Sequence, residues 1–287
     1  MPMSKIFLVA VLVFSTFICR AQINEPQGSP QWIKLYDPFR IVGNIYYVGT
    51  YDLACYLVTT SKGHILINTG LAASSSAIQK NIETLGFKVS DLKIITTTQV
   101  HYDHVGAIAS LKKLTGAKVY VDAKDAAVLE DGGKSDYEMH DRGMTFEPVT
   151  VDRQLKDNDI IELGDTKITM IHHPGHTKGS CSFLLDVNDD GTSYKVLIAN
   201  LPTIVTDRKL SEIPEYPDIS KDIEYTLASL KKQSFDIYLS SHASQFDMHK
   251  KHKVGDAYNP RAFVDRAGYD EKIKELEAAY KKKLEQK

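Results

Sequence analysis

Six consecutive residues constrain this chain more than any other feature: Gln99-Val100-His101-Tyr102-Asp103-His104, directly after the β-rich run Leu92-Lys93-Ile94-Ile95-Thr96-Thr97-Thr98. Two imidazoles and a carboxylate within four residues, at the mouth of a strand, suit metal ligation far better than packing. Two further histidines arrive far downstream, each again after a strand-like run. His176 stands in His172-His173-Pro174-Gly175-His176-Thr177, and His242 in Ser240-Ser241-His242-Ala243. Ligands delivered from several strand ends need a sheet that brings those ends to one edge. The site is then a set of loops over a rigid scaffold.

The remaining sequence supplies such a scaffold. Short β-rich runs at 45–48, 54–58 and 64–68 are separated by Gly43, Gly49 and Gly63, the punctuation of strands and turns. Residues 72–85 have helical spacing, with Ile78, Ile82 and Leu85 on one face and a stop at Gly86. A strand at 92–98, the ligand loop and a helix over 104–114 follow, with Ile108, Leu111 and Leu114 inward. A strand at 119–121 and a helix at 123–129 come next. The polar, irregular segment 131–147 reads as a surface loop. Strands resume at 158–163, 167–173, 181–187 and 194–199, then a helix over 219–231 and a strand at 235–239. A long helix closes the chain from Pro260, its Lys- and Glu-rich end a solvated face. This order predicts an α/β fold of two halves, sheet packed on sheet with helices outside.

Bulk properties narrow the function. Lys5, the apolar run 6–19 and Cys19-Arg20-Ala21 predict a secretory signal peptide over residues 1–21, short of the ~20 apolar residues of a membrane span. Residues 22–287 then form a single domain that opens with a Pro-rich, polar arm over 22–38 and is large enough for a sizeable core. Loss of Lys5 and Arg20, two positive charges, takes the net charge from −2 to −4. Such a mildly acidic surface gives no reason to expect nucleic acid, and no membrane contact is expected once the leader is removed. A monomer is the expected state. Cys55 and Cys181 lie in strand-like runs and are either one bridge or two small buried side chains. No Gly-x-Ser-x-Gly elbow and no phosphate-binding glycine loop appears.

The ligand candidates fall into two sets. Asp103, His104 and His242 give a carboxylate and two imidazoles for one ion. His101 and His176 give two imidazoles for a second, with Gln99 as the nearest third donor. A neutral amide oxygen is a poor zinc ligand beside imidazole, so this second position is expected to hold zinc loosely or only with substrate present. His64, His140, His249 and His252 lie in polar, turn-like sequence and are expected at the surface. His172 and His173 are expected to be plain strand residues.

At these residues the sequence resembles the metallo-β-lactamase superfamily, marked by His-x-His-x-Asp-His with later Gly-His-Thr and single-His motifs. The resemblance covers essentially all of 22–287 and implies the αββα sandwich, two mixed sheets face to face with helices outside. Within the superfamily the pattern is similar to subclass B3, where Asp103, His104 and His242 match position by position. Other subclasses place a cysteine ligand between His176 and His242; here that region reads Ala199-Asn200-Leu201-Pro202-Thr203. Gln99, in place of the first His, reproduces the GOB-type branch of B3, and Asn68 stands where the superfamily usually has Asp.

The resemblance implies one or two zinc ions. It further implies periplasmic hydrolysis of the β-lactam amide of penicillins, cephalosporins and carbapenems through a metal-bound hydroxide, conferring antibiotic resistance. Asp103 would be the catalytic residue, orienting the nucleophile or passing a proton to the leaving nitrogen. Thr203 would meet the substrate carboxylate. The alternatives are a lactonase, thioesterase or phosphodiesterase on the same fold, which by itself does not set the substrate, or a non-catalytic zinc-binding relative.

Overall fold

The structure is a computed structural model that describes residues 28–286; the expected signal peptide and the first residues of the arm lie outside the described residues. The chain enters through α1 (Pro30–Ile33), capped by the Ser29 hydroxyl, which accepts from Gln31 N. Seven strands follow: β1 (Phe39–Val42), β2 (Ile45–Tyr47), β3 (Tyr56–Thr60), β4 (Gly63–Ile67), β5 (Leu92–Thr96), β6 (Lys118–Asp122) and β7 (Arg153–Leu155). They pair in chain order into one sheet, antiparallel from β1 to β4 and parallel from β4 to β7. Between β4 and β7 run α2 (Ser75–Thr84), α3 (Tyr102–Val105), α4 (Ile108–Thr115) and α5 (Ala126–Asp131).

The second sheet contains β8 (Ile160–Leu163), β9 (Thr166–His172), β10 (Cys181–Asp189), β11 (Thr192–Ala199) and β12 (Ile237–Ser240), ordered β12-β11-β10-β9-β8. Only its β11–β12 pair is parallel. The helices of this half are α6 (Ile219–Lys231), α7 (Met248–Lys251) and α8 (Arg266–Leu284).

Alternation along the strands assembles the layers. Tyr56 and Val58 of β3 and Ile65 and Ile67 of β4 join Phe183, Leu185, Met170 and Leu197 in a core between the sheets. Leu57 and Leu66, one residue out of phase, turn to the other face and meet Ile78, Ile82, Ile108 and Leu111 of the helices. A strand buried on both faces must carry apolar residues at both parities, as these do. The result is the expected αββα arrangement of two mixed sheets with helices outside. Among the described residues no helix is long and apolar enough to cross a membrane.

Several local expectations need correction. The expected 104–114 helix is two helices broken at Gly106 and Ala107, and Leu114 is 57% exposed because the second helix ends at Gly116 with that face outward. Strands β1 and β7 fall in stretches the sequence left unassigned; four and three residues long, they are too short to show a period. The segment 131–147 is no mere surface loop, since Asp136, Tyr137, Glu138 and Phe146 are buried. Of the four histidines expected at the surface, one is buried and two are half-buried. His64 is 7% exposed with its ring edge-on to Phe87. His249 stacks on Tyr51 and His252 on Phe39, at ring separations of 3.7 and 3.6 Å. Cys55 and Cys181 are free and buried, and burial pushes both thiols up.

Candidate metal centre

The ligand loop leaves β5 as extended backbone and turns at His101 (φ −114°, ψ 153°), the residue before α3. That turn sends His101 one way, while Asp103 and His104 come round on the first helical turn. The loop is pinned from beneath: Thr69 donates to the His104 carbonyl through both its N–H (2.8 Å) and its hydroxyl (3.1 Å). His176 arrives on the β9–β10 loop. Gly175 before it takes φ +125° and lies so close to α6 that a Cβ would stand 2.7 Å from Ile223 Cγ1. Only glycine delivers the histidine from that approach. His242 follows β12 and pairs across an isolated bridge with Leu53 of the β2–β3 loop.

These elements bring all the expected donors of the first set together. One ligand atom from each of Asp103, His104 and His242 lies within 4.8 Å of the others. Asp103 Oδ2 is 3.3 Å from His104 Nε2 and 3.5 Å from His242 Nε2. Burial opposes the Asp103 charge, but the imidazoles of His104, His242 and His101 outweigh it and hold the carboxyl well below its usual range. In the second set His101 Nδ1 faces His176 Nε2 at 3.1 Å. Gln99 is 4% exposed at the strand end. Burial, with His101 alongside, pushes His176 down to about 3, so the ring is neutral.

A cation fits these donors. Among the described residues neither ring nitrogen of His104 has a hydrogen bond although both are buried, and Nε2 faces the Asp103 carboxylate at 3.3 Å. Leaving such a group unsatisfied costs about 1–3 kcal/mol, a debt that coordination removes. Two nitrogens at ~2.0–2.1 Å from one tetrahedral ion stand roughly 3.3 Å apart, close to the His101–His176 spacing.

Residues absent from the sequence reading surround the donors. Asp52 Oδ2 contacts His242 Nδ1 at 3.2 Å, and Asp136 Oδ2 lies 3.3 Å from His101 Nε2. Burial opposes the Asp136 charge, but His101 and the N–H groups of Met139 and Glu138 hold its carboxyl down at about 2. Thr203 sits at the site, where its carbonyl (2.7 Å) and hydroxyl (2.9 Å) both face His176 Nδ1; in this arrangement the hydroxyl is engaged with the histidine. Asn68 is a brace. Its Oδ1 accepts from Thr97 Oγ1, Thr98 N and Thr98 Oγ1 while its Nδ2 donates to Ala54 O, a mixture that an ionised Asp could not supply. His172 pairs with Asp122 at 2.7 Å, and His173 bridges Ser182 and Ser229, so both tie β9 to its neighbours. No sequence signal marks Asp52 or Asp136, whose partners are remote in the chain.

A family model described as the metallo-β-lactamase superfamily matches residues 49–189. Among solved structures, the chain is similar to the class B3 di-zinc metallo-β-lactamase LRA-12 from an Alaskan soil metagenome. Identity is 58% over 91% of this chain and 100% of that one, with a TM-score of 0.90. The metallo-β-lactamase GOB-18 from Elizabethkingia meningoseptica is 52% identical over 93% of this chain and 100% of that one, with a TM-score of 0.91. Curated relatives are more distant. A hydroxyacylglutathione hydrolase of a Bradyrhizobium strain is 27% identical over 42% of this chain. The chain spans 40% to 64% of the length of such relatives. The histidine and carboxylate donors, the two mixed sheets and the full-length likeness lead to one assignment: the chain belongs to the metallo-β-lactamase superfamily, among its class B3 zinc hydrolases.

Proposed function

We propose that the protein is a periplasmic zinc β-lactamase, acting as a monomer, that opens the β-lactam amide of penicillins, cephalosporins and carbapenems. The observation that carries this is the buried Asp103–His104–His242 cluster, with donor atoms within 4.8 Å of one another. The chain that carries it is 58% and 52% identical to proteins named as metallo-β-lactamases. Asp103, His104 and His242 would hold one zinc; His101, His176 and Gln99 would hold another.

Zinc held by these residues would supply Lewis acidity and make water a stronger acid near neutral pH. The residues of the chain do the rest. Asp103, ionised and aimed between His104 and His242, would take a proton from the attacking water as its oxygen bonds to the carbonyl carbon, and hand that proton to the amide nitrogen as the C–N bond breaks. Asp52 and Thr203, on the far nitrogens of His242 and His176, keep those rings turned inward. With a carboxylate and two imidazoles in one position and a weaker amide donor in the other, the two zinc affinities should differ. Gln99→His is expected to raise zinc content toward two per chain at limiting zinc, measured by elemental analysis after dialysis. An unchanged content would show that Gln99 does not limit that position.

The decisive test is zinc content and carbapenem hydrolysis on one purified sample, before and after chelation. Turnover should vanish with the metal and return with zinc. Bound zinc with no turnover of any β-lactam would move the assignment to a lactone, thioester or phosphodiester substrate.

A further inference from the structure

The single tryptophan of the chain lies against this centre. Trp32 comes from α1, and its Nε1–H donates to Asp52 Oδ2 at 3.2 Å. The same oxygen contacts His242 Nδ1 at 3.2 Å. The carboxylate is fixed from the other side as well: Oδ1 accepts from Ser244 N at 2.9 Å, and the Asp52 carbonyl accepts from Ala243 N at 2.7 Å. The indole ring lies 5.7 Å from the His242 ring and 6.2 Å from that of Tyr102, the neighbour of Asp103. Gly28 leaves room for the indole, since a Cβ there would stand 2.2 Å from Trp32 Cε3.

The arm is anchored at two points, by Tyr36 in the aromatic cluster beside β1 and by Trp32 at this centre, and the residues between them bury little. Helix α1 is four residues long, and Ile33 and Leu35 are 60% and 66% exposed. The indole is thus placed to do more than pack. A carboxylate only accepts, so contact with Asp52 selects the tautomer with hydrogen on His242 Nδ1, leaving the Nε2 lone pair toward Asp103. The Trp32 donor holds the carboxylate in the orientation that does so.

We propose that Trp32 is a positioning residue of the zinc site, acting through Asp52 on His242, so that docking of the amino-terminal arm and zinc affinity at the Asp103–His104–His242 position are coupled. This rests on the zinc reading of that site given above. Coupling of this kind is reciprocal: an undocked arm weakens zinc binding, and zinc strengthens docking.

The test is a double-mutant cycle on the full chain, with zinc affinity measured by chelator competition for wild type, Trp32→Phe, Asp52→Ala and the double variant. Asp52→Ala should bind zinc about 10–100-fold more weakly, and Trp32→Phe about tenfold, the low end of the range for partners behind a ligand. The double variant should be no weaker than Asp52→Ala alone, because phenylalanine keeps an aromatic ring against His242 and the substitution removes only the hydrogen bond to Asp52. Asp52→Asn, which keeps a carbonyl acceptor, should recover part of the loss and guards against a misfolded alanine variant. In wild type, zinc should change the emission of Trp32, and Asp52→Ala should blunt that change.

Zinc binding by Trp32→Phe as tight as wild type overturns the proposal, as do independent, additive losses in the double variant. A lower melting temperature of metal-free Trp32→Phe with unchanged zinc affinity would mark a merely structural role and also overturn it. Wild type that binds no zinc would sink the zinc reading itself, an outcome told apart because it appears before any substitution is compared.

Discussion

Replacing Asp103 by alanine is expected to lower β-lactam turnover by on the order of 10³-fold or more, within or beyond the range for losing a positioned acid–base group. Two losses coincide in this variant. The carboxylate that would handle the proton disappears, and the zinc position it shares with His104 and His242 keeps only two imidazoles. Asp103→Asn separates the two effects, because an amide preserves shape and a weak oxygen donor while removing the charge. We expect it to retain more zinc than the alanine variant yet recover little turnover. Steady-state kinetics with a carbapenem and zinc analysis on the same samples check both points. A fully active Asp103→Ala enzyme would sink the mechanism.

The second large effect lies beneath the ligand loops, at Asp125. This buried carboxylate joins the two stretches that carry His101 and His176. Its Oδ2 accepts from Val100 N (3.1 Å) and Thr177 Oγ1 (2.6 Å), and its Oδ1 from Gly179 N (2.7 Å). Asp125→Ala orphans two buried N–H groups and leaves Thr177 Oγ1 with Ser180 alone, for an expected loss on the order of 2–5 kcal/mol. The urea midpoint should fall, and zinc should bind less tightly because both loops lose their common tie. A midpoint equal to that of wild type would show that water or a rearranged loop replaces the carboxylate.

Asp125→Asn adds a pH signature. Burial lifts the Asp125 carboxyl to about 6 despite the hydrogen bond from Thr177. A carboxyl whose folded value exceeds its ordinary value, 3.8 here, contributes stability that is complete below 3.8 and lost as pH rises through about 6. The asparagine variant cannot titrate there. In metal-free protein the stability of wild type relative to Asp125→Asn should therefore decline between those values. A difference that stays flat, or grows with pH, would contradict the lifted pKa.

Much of this is legible in the sequence. Helix α6 occupies the predicted span, 219–231, because its apolar positions recur at helical spacing, and Ile219, Ile223, Leu227 and Leu230 are all buried. The ligand residues were legible because their chemistry is concentrated: an Asp between histidines at a strand end has few other uses. Edge strands β1 and β7 were not, since four and three residues are too few to show a period.

The support of the site was decided by tertiary structure alone. Asp52 and His242 are separated by 190 residues and Asp125 and Thr177 by 52, and no local period records such a pairing. A carboxylate in a polar turn looks the same whether it faces water or an imidazole. Only the closing of two sheets over one core brings the β2–β3 loop against the end of β12, and the 131–147 segment against His101. The sequence alone determined the candidate donors and the layers, because both rest on local chemistry and periodicity. The tertiary structure decided which acids and which indole hold those ligands in place, because that depends on distances between residues that the chain keeps far apart.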